Sequence, residues 1–227
     1  MFENQRAWVR MPSGKRLDLV NPTPFDWTDQ DLAIGLSRTY RWGGHSCWPL
    51  PMSVAQHSLL VLELRRRLHP EPLDRVTALR ELVHDADESL LGFDCISVLK
   101  PVLGAAFKQL TDRLLSTVFT RYGIPDWTPE EKKIHKEADI LAAASEAIHV
   151  AGWKYSELRS VLGITMEPLG LEDDPLVEIY GGMPWEPWPA EVAAERFLSV
   201  LESLAQPMPN DQYISVLKTV LQPRLAA

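Results

Sequence analysis

The chain has 227 residues, a formal net charge of −8 and only two cysteines, Cys47 and Cys95. That length can bury a sizeable apolar core without disulfide help, and the cysteines fit neither a zinc ribbon nor a secreted disulfide framework, so a reduced cytoplasmic setting is expected. The negative charge disfavours polymeric nucleic acid as a partner, no stretch approaches the length of a membrane span, and MFENQRAWVR has no apolar signal core.

In chain order, two short mixed segments between Trp8 and Val20 flank Pro12-Ser13-Gly14-Lys15, which predicts a small β-ribbon within residues 1–25. After Asn21-Pro22-Thr23-Pro24, Asp26 or Thr28 can cap a helix carrying Leu32, Ile34 and Leu36 that ends near SRTYRWGG. Gly43-Gly44 then forces a loop. Ser53 can cap a helix from Val54 to about Leu68, with His57 in its first turn. A second long helix is expected from about Leu73 to Leu91, stopped by Gly92, with His84 and Asp85 near its end. A third runs from Ala105 to Tyr122, and Asp126-Trp127-Thr128-Pro129-Glu130-Glu131 starts a fourth that carries Asp139. Residues 163–189, rich in Pro, Gly, Trp and acids, read as a long loop. Helices return at Ala190–Leu204 and Asp211–Leu221, within a C-terminal region of residues 190–227. The fold expected is one all-α domain over residues 1–227, with its core in residues 26–155 and a small N-terminal β-hairpin.

His57, His84, Asp85 and Asp139 are good divalent-metal ligand types spread over these helices. The most specific feature is the adjacent His84-Asp85 pair. Neighbouring helical residues point about 100° apart, so both reach one ion only at a bent or terminal turn. A lone buried histidine is more often structural, and the combination reverses those odds. His45, His69, His135 and His149 read as exposed and unassigned, which leaves a single ion. EDDP at residues 172–175 reads as a solvated acidic turn. Trp185 and Trp188 read as covering a hydrophobic groove rather than as a lid.

SVAQHS, LVHDADESLLG and HKEADILAAASEA together resemble the His, His-Asp, Asp signature of the HD superfamily of metal-dependent phosphohydrolases, in particular its compact bacterial and prophage branch similar to the YfbR-like 5'-deoxynucleotidases. GKRLDLVNP, LSRTYRWGGHS and PWPAEVAAERFLSVL extend the likeness over most of the chain. The resemblance implies a compact helical HD bundle. It assigns His57, His84, Asp85 and Asp139 as ligands of one divalent transition metal, and mixed nitrogen and oxygen donors accept cobalt, manganese, iron, nickel or zinc. It also implies Glu88 as a proton-transfer residue beside the doublet, Arg41 as a phosphate clamp and Trp42 against the sugar. Asp94 matches a sugar-contacting aspartate displaced by one residue, because Phe93 intervenes after Gly92, and Lys100 matches a basic position that would steer the anion.

The activity so implied is hydrolysis of a 5'-(deoxy)nucleoside monophosphate to nucleoside and phosphate. Related enzymes cleave triphosphate from deoxynucleoside triphosphates or open cyclic phosphodiesters, so those remain alternatives, as does a nucleotide-binding regulatory module without turnover. Oligomeric state is not legible in the residues. Compact relatives often dimerise, and the apolar C-terminal helices offer a face for a homodimer.

Overall fold

The computed structural model describes residues 7–205. The sequence-predicted helix at residues 211–221 lies outside that range. Within it the chain is mostly helical, with one two-stranded antiparallel hairpin, as the sequence leads one to expect.

The hairpin pairs β1 (Trp8–Arg10) with β2 (Arg16–Asp18) in the register Val9 to Leu17. Gly14, at φ 85°, supplies the left-handed residue of its turn. Leu17 is fully buried, and the Ser13 amide donates to Asp31 (2.8 Å), which fastens the hairpin to the first helix.

That helix, α1 (Asp29–Arg38), starts at Thr28 with a reciprocal capping box to Asp31. α2 (Val54–Leu68) is capped by Ser53, whose hydroxyl accepts from the Gln56 amide. The long helix expected over residues 73–91 is instead two helices, α3 (Arg75–Leu82) and α4 (Ala86–Leu91). Val83 (φ −107°, ψ 18°) and Asp85 (φ −108°, ψ 23°) leave helical geometry, so the break falls at the His84-Asp85 doublet itself. Gly92, at φ 73°, ends α4.

α5 (Lys100–Tyr122) is interrupted at Gly104 (φ 74°, ψ −166°), so its regular part begins at Ala105. α6 (Pro129–His149) carries a capping box between Thr128 and Glu131. The remaining described helices are α7 (Tyr155–Ser160), α8 (Pro175–Tyr180) and α9 (Ala190–Leu204). The expectation of an unbroken loop over residues 163–189 therefore needs correction, since α8 and a turn of 3₁₀ helix at Leu171–Asp173 lie inside it. Asp174 is not solvated: it is buried and accepts from the amides of Leu176 (2.9 Å) and Trp185 (2.7 Å), which starts α8 and folds the segment back. Trp185 is fully buried, stacks on His149 and donates to the Leu171 carbonyl, in keeping with a covering role.

A single apolar cluster joins the hairpin to α1, α2, α3, α5, α6 and α9 through Leu17, Leu36, Leu60, Leu79, Val118, Leu141 and Phe197. α1 lies against both α9 and α4, and α2 lies against α6. The α1–α4 approach is close. A Cβ built on Gly35 would sit 2.0 Å from the Ser89 hydroxyl and 3.1 Å from its Cβ and carbonyl oxygen. Ser89 also donates to the Leu32 carbonyl (3.0 Å), which locks α4 and its Glu88 onto α1. Gly35→Ala overpacks this contact and should lower stability by roughly 1–3 kcal/mol in a urea titration.

Candidate metal centre

α2, the turn between α3 and α4, and α6 bring three candidate ligands together. One ligand atom each from His57, His84 and Asp139 lies within 4.8 Å of the others. Asp85 stands beside this trio, with its Oδ2 3.5 Å from His57 Nε2 and 3.2 Å from His84 Nε2. Asp139 Oδ1 is 3.4 Å from His57 Nε2, while its Oδ2 accepts from Lys136 (2.6 Å).

Each imidazole is held through its other nitrogen. His84 Nδ1 donates to the Glu81 carbonyl (2.7 Å), and His57 Nδ1 donates to Glu146 Oε1 (2.5 Å). With Nδ1 protonated, both Nε2 lone pairs face the carboxylates. Both Nε2 atoms are buried, and neither has a hydrogen-bond partner. Two buried imidazole nitrogens gathered with acidic side chains fit a cation, either a divalent metal ion on the Nε2 lone pairs or, in its place, protons on the rings.

Charge tells the same story. Burial and Arg41 oppose protonation of His57, yet Glu146 and Asp139 outweigh them and push its pKa from 6.5 up to about 9. His84 is raised likewise, Asp85 offsetting its burial. Burial works against ionisation of Asp139 and Asp85, but the imidazoles, with Lys136 in the case of Asp139, hold both carboxyls well below their usual range. The pocket is thus built to carry positive charge. In the metal-free protein, His57 has a higher pKa folded than unfolded. Its stabilising protonation is complete below pH 6.5 and lost as the pH rises through about 9. Metal binding must expel that proton. Chelator-competition titrations should therefore find affinity tightening about tenfold per pH unit for each proton released, and levelling off above pH 9.

Around this centre lie all the other sequence-predicted residues. An antiparallel bridge between Tyr40 and Ser53 pinches the base of the intervening loop, which sets Arg41-Trp42 beside the start of α2. Trp42 (φ 57°) and Gly43 (φ 64°) both adopt left-handed backbone, uncommon for a tryptophan, and Trp42 is held there by its indole N–H on Glu146 Oε2 (3.1 Å). Arg41 donates from Nε to the same Glu146 oxygen (3.2 Å) and from Nη1 to Asp94 Oδ2 (3.4 Å). Asp94 is buried, so the extra residue after Gly92 still delivers its carboxylate to the cluster. Glu88 sits in the first turn of α4, buried, with Oε2 unpartnered and Oε1 3.9 Å from Lys100 Nζ. Burial, Asp85 and Asp94 push its pKa well above the usual carboxyl range.

Several residues important here were not singled out from the sequence. Glu146 follows Asp139 by seven residues, two turns along the same face of α6, and that spacing was the available signal. His135 was expected to be exposed, but it is buried: its Nδ1 bonds Glu81 Oε2 (2.6 Å) and its ring packs between His84 and Trp127. It precedes Asp139 by four residues, again on one face. Glu81 thus holds His84 with its carbonyl and His135 with its side chain. His149 is half-buried with Nε2 on the Leu169 carbonyl (2.8 Å), and His69 pairs with Glu137, so neither is a free surface group. His45 is exposed, as expected.

Cys47 and Cys95 are both free, and among the described residues no helix is long and apolar enough to cross a membrane. No family model matches the sequence. An uncharacterized protein of Rhodobacter capsulatus is 42% identical over 160 residues, which span 70% of this chain and 81% of that protein. At that identity and coverage, the chain belongs to the same family as the Rhodobacter capsulatus protein.

Proposed function

We propose that the protein is an HD-type, metal-dependent phosphohydrolase that removes phosphate from a 5'-nucleoside monophosphate, with a deoxynucleotide as the preferred substrate. The observation that carries this reading is the pair of buried, unpartnered Nε2 atoms of His57 and His84 facing Asp139 and Asp85. These four residues would hold one divalent transition-metal ion. What such an ion supplies when bound is Lewis acidity toward a phosphoryl oxygen and acidification of water.

The chain's own groups provide the rest. Arg41 spends two of its five N–H donors on Glu146 and Asp94, leaving others to grip phosphate oxygens in a fork. Trp42 presents an aromatic surface beside it for the sugar. Glu88, its carboxyl pushed well above the usual range by burial, Asp85 and Asp94, is suited to hold a proton and donate it to the departing nucleoside oxygen. Lys100, half-exposed at the rim, draws the anion in against the net negative field of the protein.

The test is a phosphate-release screen over nucleoside mono- and triphosphates and cyclic nucleotides, with each candidate metal added back. Inorganic phosphate from 5'-monophosphates is the expected product. Tripolyphosphate or ring opening would reassign the substrate, and tight nucleotide binding with no turnover under any metal would contradict an enzymatic role.

A further inference from the structure

Glu146 is fully buried and belongs to no ligand set, yet three side chains from two segments converge on it. Its Oε1 receives His57 Nδ1 (2.5 Å) from α2. Its Oε2 receives Arg41 Nε (3.2 Å) and Trp42 Nε1 (3.1 Å) from the loop before α2. We infer that Glu146 is a positioning residue that couples the metal ligand His57 to the phosphate clamp Arg41-Trp42 through a single carboxylate.

This inference rests on the proposed reading of His57 as a ligand and Arg41 as a clamp. All three partners approach Glu146 as donors. Only a carboxylate, with acceptors on both oxygens, can take all three, and a buried charge of this kind persists because each oxygen is satisfied. Its hold on Nδ1 fixes the tautomer that leaves the Nε2 lone pair free for an ion, and raises that nitrogen's basicity. Its hold on Arg41 Nε fixes the plane of the guanidinium, and its hold on the indole keeps Trp42 in left-handed backbone. Because Arg41 and the ion are both cations drawing on the same carboxylate, Arg41 weakens what Glu146 can lend to His57. Glu146 and Arg41 are therefore opposed in their effect on metal binding.

Opposite signs give the test. Zinc or manganese affinity, without nucleotide, is measured by chelator competition on the full chain, with circular dichroism melts to confirm folding. Glu146→Gln retains size but has one acceptor and one donor. Its amide oxygen goes to the Arg41 charge and its N–H₂ confronts His57 Nδ1, so metal affinity should fall about ten- to a hundredfold. Arg41→Met removes the competing cation without touching the ion. Metal affinity should rise roughly two- to tenfold while nucleotide affinity falls.

A purely structural role would weaken metal binding in both variants, and that result would overturn the coupling. So would affinities unchanged from wild type. If Glu146→Gln does not fold, the direction of the Arg41→Met change decides alone. A folded wild type that takes up neither ion would instead overturn the metal reading, and this inference with it.

Discussion

Asp139→Ala is expected to purify folded but without bound metal, and to lose phosphate release by a factor of about 1,000 or more, since the ion's charge stabilisation amounts to several kcal/mol. Asp139 supplies the carboxylate from α6 that completes the trio with His57 and His84, and its counter-oxygen is already fixed by Lys136. Without it, His57 Nε2 faces only Asp85, and the charge that favours a cation is roughly halved. The loss should appear in metal content as well as in rate. A variant with wild-type metal content and wild-type turnover would remove Asp139 from the site.

Glu88→Gln separates proton transfer from metal binding. Its carboxyl is not part of the His57, His84 and Asp139 group, so metal content should match the wild type while kcat falls by about 100- to 1,000-fold, the usual range for a lost general acid. KM should change little, because the amide preserves size. The pH profile carries a second signature. The wild-type carboxyl is protonated and active as an acid below its raised pKa, so activity declines as the pH climbs through that value. The Gln variant should lack that decline. Equal loss of metal and rate would instead make Glu88 a structural neighbour of the ion.

Much of this site could be read in the sequence, because its parts sit at helix starts and on helix faces. Ser53 and Thr128 fix where α2 and α6 begin, which places His57 in a first turn and Asp139 three turns into its helix. The bounds of α2 and α9 follow from caps and apolar periodicity in the same way. The ligand doublet called for a bent or terminal turn, but a full break between α3 and α4 was not legible. The apolar pattern from Leu73 to Leu91 runs through it with no Gly or Pro at residues 83–85, and the turn is held by His84 Nδ1 on the Glu81 carbonyl, a contact that propensity does not encode. The burial of Asp174 was hidden for a related reason: its partner Trp185 lies eleven residues on, in a left-handed conformation that no local signal announces. Glu146 shares a face with Asp139, but its importance comes from Arg41, 105 residues earlier, and a single sequence does not display such a pairing.

His57, His84 and the acidic pair are proposed to hold one divalent ion between them. Crystals soaked in a manganese or zinc salt and measured at the metal's absorption edge test it most directly. A single anomalous peak about 2.0–2.2 Å from both Nε2 atoms and an Asp139 oxygen is the predicted result. A peak elsewhere, or none at saturating metal, would contradict it.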